Sequence, residues 1–306
     1  MLLRVEVLVV CMLLLTSCVL VPGADVSTPP MPTRPAATMA AGRADAAPSP
    51  STLTATVFLP SALKTPVIPK LPPIGSFQVQ YTGEIDISVD VDIFNLDLFD
   101  TPPAILQELR KRGIFVMCYF SAGSYEDWRP DAWKFPSEVL GEDMEGWSGE
   151  KWLDIRRLDV LGPIMQTRLD LAVEKGCDGV DPDNVNGYRN DTGFPLTDQD
   201  QLVYNRFLST EAHKRGLAIG LKNDIEQAVD LVSYFEWILN ESCFSYQECH
   251  FLQPFRRAGK PVFVIEYDRE PEEICPQANQ LGFNALIKHW ELDAYRIDCH
   301  QFLIGP

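Results

Sequence analysis

From Phe77 onward the chain alternates short apolar runs rich in β-branched residues with longer stretches whose apolar residues recur every three or four positions. The first period belongs to strands and the second to helices, so the alternation predicts an α/β fold of βα units around a parallel sheet. Strands are expected at 77–81, 93–99, 114–120, 179–183, 217–223, 237–242, 261–267 and 283–289, with helices at 103–112, 161–175, 198–215, 226–231, 246–258 and 271–281. Three helices end in a basic residue followed by glycine, at Arg112-Gly113, Lys175-Gly176 and Arg215-Gly216, which suits a glycine C-cap before the next strand. Eight strands fit a TIM-like (β/α)8 barrel better than an open doubly wound sheet, because none leads into a GxGxxG phosphate loop. Residues 152–156 are a candidate for a ninth, short strand.

The barrel is expected to occupy residues 74–306. Ahead of it, residues 1–24 carry Arg4 and then an apolar run through Leu13, Leu14 and Leu15, long enough for an export signal and short for a transmembrane span. Leu15-Thr16-Ser17-Cys18 looks like a bacterial lipobox, which would make Cys18 a lipid-anchored N-terminus; ordinary cleavage near residues 21–24 is the alternative. Residues 25–73 are rich in Pro, Ala, Ser and Thr and poor in aromatics, the composition of a disordered linker that cannot offset its ordering entropy. The expected location is therefore extracellular, with Cys18 as the one route to a membrane. Six cysteines remain in the barrel; Cys243 with Cys249 and Cys275 with Cys299 are the favoured local pairs, although six cysteines allow fifteen full connectivities.

Charge narrows the partners. The whole chain carries a formal charge of -17, and residues 74–306 hold 21 basic against 40 acidic side chains. Such a surface repels polyphosphate and anionic lipid, which argues against nucleic acid and suits a cationic ligand. No cofactor motif is present. The cysteines lack zinc-ligand spacing, and a calcium loop begun at Asp181 fails because its fifth, sixth and twelfth positions are Val185, Asn186 and Thr192. Neither a metal nor a cofactor is expected, and no GxSxG supports a serine hydrolase.

In a barrel of this kind active sites lie at the C-terminal ends of the strands. Polar residues crowd there: Tyr119; Asp181, Asp183 and Asn184; Lys222, Asn223 and Asp224; Asn240 and Glu241; Glu266 and Tyr267; Lys288 and His289. Packing alone does not require carboxylates at the ends of buried strands, since each must be hydrated or paired. Glycoside hydrolysis does require two, one to attack or stabilise the anomeric carbon and one to protonate the leaving oxygen. Asp183 on the fourth strand is expected to be the nucleophile and Glu241 on the sixth the acid/base, with Lys222 between them favouring ionisation of one partner. The long excursion after the third strand carries Tyr125, Trp128, Trp133, Phe135, Trp147 and Trp152 among Glu126, Asp127, Asp131, Glu142, Asp143 and Glu145. Indole faces beside carboxylates suit an amino-sugar polymer; the competing role for these aromatics is a mini-core that plugs the barrel end.

Four segments then carry a family resemblance: Trp152-Leu153-Asp154-Ile155-Arg156, Gly176-Cys177-Asp178-Gly179-Val180-Asp181-Pro182-Asp183-Asn184, Gly220-Leu221-Lys222-Asn223, and Asn240-Glu241-Ser242-Cys243 followed by Tyr246 and Glu248-Cys249. They resemble glycoside hydrolase family 114, the endo-α-1,4-polygalactosaminidases, with its spherulin-like relatives. The resemblance implies a TIM-like barrel, retaining hydrolysis of α-1,4-linked galactosamine polymer, and a catalytic Asp and Glu at Asp183 and Glu241. Tyr119, Asp154, Asp181, Asn184, Lys222, Asn223, Tyr246 and Glu266 are the expected substrate-binding residues. The partner implied is a cationic galactosamine-containing polysaccharide, acted on by a monomer. Ser242 stands where the family often has Gln, and Asn186 where it often has Asp. Hydrolysis of another α-galactoside or amino sugar, and a carbohydrate-binding or cell-wall protein without turnover, are the alternatives.

Overall fold

The computed structural model describes residues 69–303. The expected signal, Cys18 and nearly all of the expected linker lie outside the described residues; of the linker's last residues, Lys70 sets its Nζ 3.1 Å from Asp178. Among the described residues no helix is long and apolar enough to cross a membrane.

Eight parallel strands make the frame: β1 (Phe77–Gln80), β2 (Ile93–Asp97), β3 (Phe115–Ser121), β4 (Gly179–Asp183), β5 (Ala218–Lys222), β6 (Trp237–Glu241), β7 (Val262–Tyr267) and β8 (Asn284–Lys288). Each pairs in parallel with the next in sequence. The helices α1 (Pro103–Lys111), α2 (Leu158–Lys175), α3 (Asp198–Lys214), α4 (Ala228–Leu231), α5 (Gln253–Arg257) and α6 (Pro271–Leu281) fall in the connections. This is the TIM-like barrel that the alternation predicts, and all three predicted glycine caps, Gly113, Gly176 and Gly216, have positive φ. Two helices are shorter than expected. The 226–231 segment keeps only α4, and 246–258 divides into the 3-10 turn Cys249–Leu252 and α5, where Pro254 lacks the N–H needed to continue one helix across the junction.

Side chains from all round the sheet fill its interior, among them Phe77, Ile93, Phe115, Ala218, Trp237, Phe263 and Leu286. Trp237 is fully buried there. A Cβ on Gly220 would sit 2.0 Å from its indole nitrogen and one on Gly179 2.9 Å from its outer ring edge, so glycine on β4 and β5 makes room for the largest side chain of the filling. A second apolar layer joins the outer face of the sheet to the helices.

The seam between β8 and β1 departs from expectation. A ninth strand does join the main sheet, but it is Ile297–Asp298, antiparallel to β8. The segment around it bridges to β1 through Gln78 Nε2 to the Ala294 carbonyl at 3.0 Å, Arg296 Nη2 to the Phe77 carbonyl at 3.1 Å and Tyr81 N–H to the Leu292 carbonyl at 2.9 Å. The 152–156 candidate instead contributes to Glu150–Leu153, the central strand of a separate three-stranded antiparallel sheet with Ser124–Glu126 and Leu140–Asp143. Three disulfides hold the barrel: the favoured Cys243–Cys249 and Cys275–Cys299, and Cys118–Cys177 between β3 and the approach to β4.

Candidate active site

At the C-terminal edge of the sheet four neighbouring strands end in the same way. The residue after each of β4 to β7, namely Asn184, Asn223, Ser242 and Asp268, is left-handed, with φ of 61°, 56°, 67° and 49°. Asparagine and aspartate tolerate this conformation better than most side chains. Non-glycine residues held there cost on the order of 1–3 kcal/mol each and persist only where the surroundings enforce them. The turn after β3 enforces the first: Ala122 and Gly123 donate their N–H groups to the Asp183 carbonyl at 2.9 and 3.1 Å, and a Cβ on Gly123 would lie 1.7 Å from the Asn184 carbonyl oxygen. Each kink leaves the last residue of its strand, Asp183, Lys222, Glu241 or Tyr267, facing a common cleft of about 610 Å³.

Lys222 organises this cleft. Its side chain is 2% exposed, and its Nζ is 3.2 Å from Asp183 Oδ2 and 3.0 Å from Glu241 Oε2. Burial by itself would lower its pKa, but Asp183, Glu241 and Asp181 together raise it, so Lys222 is a fixed cation. Glu241 also accepts from Asn223 Nδ2 at 2.9 Å and from the Tyr267 hydroxyl. Burial alone would raise the pKa of Glu241; the Lys222 charge and the bonds from Tyr267, Asn223 and Lys222 outweigh it and leave it lowered. Asn223 further fixes the strand end by accepting the Glu241 N–H at 2.9 Å. Asp183 Oδ1 accepts the Asn184 N–H at 2.8 Å.

The remaining expected residues divide by place. Asn184, Lys222, Asn223, Tyr119 and Tyr246 line the cleft with Asp183 and Glu241. Tyr119 packs tilted against Tyr81 with centroids 4.4 Å apart, and Tyr246 stands at the rim, 73% exposed. Asp181, Asp154 and Glu266 do not line it. Asp181 lies fully buried below, accepting from Asn95 Nδ2 at 2.8 Å; burial pushes its carboxyl up to about 6, against the opposing pull of Lys222. Glu266 accepts the Phe244 N–H and the Ser245 hydroxyl, each at 2.8 Å, and so anchors the loop after Glu241. Asp154 is gripped by its neighbour Arg156 through bonds of 2.7 and 2.8 Å.

The aromatics of the excursion divide between two places. Tyr125 and Phe135 pack edge to face at 5.7 Å and Trp152 is buried, a mini-core. Trp128 and Trp147 instead line the cleft, joined by Trp290, whose ring lies 6.3 Å from Trp147 and 4.8 Å from Tyr267. Trp133, 81% exposed, lies apart from it. Sequence reasoning leaves out Tyr81, Arg129, Glu150 and Trp290 as cleft residues. Tyr81 ends the predicted first strand and carries the same strand-end signal as Tyr119, whereas the other three reach the cleft from loops or a separate sheet whose placement depends on distant pairing.

Residues 60–303 match the family model described as glycoside-hydrolase family GH114. The chain is similar to Aspergillus fumigatus Ega3, whose crystal structure is a complex with galactosamine: 38% identity, TM-score 0.72, 78% of this chain and 100% of that one covered. The glycoside hydrolase domain of PelA from Pseudomonas aeruginosa shares the fold at 14% identity, with a TM-score of 0.60 over 72% of this chain and 97% of that one. No curated protein matches.

Proposed function

The chain belongs to glycoside-hydrolase family GH114, and from that premise we propose that it is an exported endo-hydrolase of α-1,4-linked galactosamine polymer that works with retention of configuration. The observation that carries this reading is the single ammonium of Lys222 within hydrogen-bond reach of both Asp183 and Glu241. Two carboxylates tied to one cation can serve one glycosidic bond from opposite sides. Asp183 Oδ2 and Glu241 Oε2 are therefore no more than about 6 Å apart, which supports the close spacing of a retaining pair over the wider spacing that leaves room for water.

In this mechanism Asp183 attacks the anomeric carbon as a carboxylate while the bond to the leaving oxygen breaks and Glu241 delivers its proton to that oxygen. As the glycosyl ester forms on Asp183, the single negative charge of the pair passes to Glu241, and Lys222, within reach of both, stabilises it in either place. Glu241 then takes a proton from water, the water oxygen bonds to the anomeric carbon, and the Asp183 carboxylate departs. Tyr119, Asn184, Asn223 and Tyr246 contact the sugars from the cleft, while Asp154, Asp181 and Glu266 support the walls. Trp128, Trp147 and Trp290 offer flat faces for sugar rings, and the excess of carboxylates over bases along the cleft suits a cationic polymer. The galactosamine bound to the 38% identical Ega3 supports the same sugar here. Three disulfides fit an oxidising compartment.

The test is release of reducing ends from partly deacetylated galactosamine polymer, with the anomeric configuration of the first product read by NMR. Activity lost in Asp183→Asn and in Glu241→Gln, with folding intact, supports the assignment. Binding without release by the wild type would make the protein a carbohydrate-binding module instead.

A further inference from the structure

Two glutamates face each other in the small sheet beside the barrel mouth. Glu126 and Glu150 are direct register partners in their antiparallel pair, both line the cleft, and they are only 2% and 5% exposed. Like charges directly opposite on neighbouring strands are destabilising, and removal from water enlarges the cost. Arg129 answers only the first of them. Its Nη2 is 2.7 Å from Glu126 Oε1, and the same guanidinium already serves Asp97 at 2.8 Å and Asp100 at 3.1 Å. Glu126 Oε2 is buried without a partner. Glu150 has the Ser124 hydroxyl at 2.9 Å on Oε2, and among the described residues no basic side chain lies within ion-pair distance of it.

This corner of the cleft therefore lacks one positive charge. Trp147, whose carbonyl accepts the Glu150 N–H at 3.1 Å, and Trp128, two residues beyond Glu126, line the same cleft as apolar faces. A cationic sugar supplies both a ring for the indoles and a charge for the carboxylates. Resting on the galactosaminidase reading above, we propose that Glu150, backed by Glu126, receives the ammonium group of one galactosamine residue of the substrate and makes cleavage depend on a free amine at that subsite.

Burial, aided by the charges of Glu126 and Asp183, pushes the Glu150 carboxyl up to about 7. An arriving ammonium relieves that penalty, whereas an acetamido group brings no charge to do so. The position also communicates with the nucleophile. Ser124 Oγ accepts from Asn184 Nδ2 at 3.1 Å, and the Asn184 N–H donates to Asp183 Oδ1 at 2.8 Å.

The experiment compares wild type and Glu150→Gln, which preserves shape, on fully deacetylated and fully N-acetylated galactosamine oligomers. The variant is expected to lose roughly tenfold or more in kcat/KM on the amine oligomer, through KM, and with it the preference over the acetylated one. Its thermal midpoint is expected to rise. Because the folded-state pKa of Glu150 is raised from 4.5 to about 7, the wild type loses stability as pH climbs through that window; the gain in the variant is full above it and absent below it. A merely structural Glu150 would lose stability and activity together. An unchanged amine preference in Glu150→Gln overturns the inference while leaving the hydrolase reading intact; a wild type that cleaves neither oligomer overturns the hydrolase reading itself. Should Glu150→Gln not fold, binding of Asp183→Asn to the two oligomers decides: equal affinity overturns the inference, and an amine preference that falls with salt supports it.

Discussion

Tyr267 donates its phenolic hydrogen to Glu241 Oε1, the oxygen opposite the one that meets Lys222. This bond favours the ionised form of Glu241, whereas an acid/base must hold a proton when the leaving group departs. The free enzyme is therefore tuned toward acidic conditions, with kcat/KM falling as pH rises past the lowered pKa of Glu241. Tyr267→Phe removes one stabiliser of the carboxylate, so that pKa rises and the basic limb of the pH profile moves to higher pH, by about one unit. A profile of kcat/KM against pH for both proteins checks the direction, and a shift to lower pH would contradict the role given to Glu241.

Lys222→Met leaves two carboxylates in one buried cleft without their cation. Activity should fall by on the order of 100-fold or more, the usual effect of losing a preorganised charge at the reacting centre. The pKa of Glu241 should also rise, because the Lys222 charge is the chief influence lowering it. Steady-state kinetics with a pH series separates this from simple unfolding, which would change the circular dichroism spectrum as well.

Gly123→Ala tests the backbone behind Asp183, the proposed nucleophile. The added methyl would sit 1.7 Å from the Asn184 carbonyl, so the turn after β3 must retreat from β4. That movement disturbs the two N–H bonds to the Asp183 carbonyl. We expect kcat to drop by about 100-fold with far-ultraviolet circular dichroism unchanged, because a displacement of about 1 Å at a reacting group is enough for such a loss.

Replacing Cys118 and Cys177 together with serine opens a loop of 59 residues. Chain-entropy arguments put the loss near 4 kcal/mol, about what such a cross-link removes from the unfolded ensemble. Chemical denaturation of the oxidised and mutant proteins measures it. Cys243–Cys249 spans only 6 residues and should contribute less to global stability, its place being beside Glu241.

Much of this architecture was legible because it is local. The eight strands announce themselves by runs such as 262–266, and Asp183 and Glu241 stand out as carboxylates ending apolar strands. Glu266 carries the same signal but turns to the backbone of the neighbouring loop, and Asp154 is claimed by Arg156 two residues away; a strand-end carboxylate in sequence does not disclose which donor lies nearest. The bridge from residues 289–298 to β1 was illegible for another reason. It joins Gln78 to Ala294 and Arg296 to Phe77, partners more than two hundred positions apart, through contacts that follow no periodic pattern. Glu150 was hidden likewise, since its charge acquires meaning only from the register that sets Glu126 opposite.

The left-handed residues that follow β4 to β7 have a consequence for how this scaffold can change. Because all four turn the chain directly after a strand end, the side chains just before them face one cleft like keys on a fixed rail. Exchanging one key alters the chemistry without retuning the rail, whereas deleting or inserting a single residue at any reversal rotates its key out of reach. Diversity in such a protein is therefore most readily gained by substitution along the rim and by length changes beyond it, in the turns of excursions such as the one after β3.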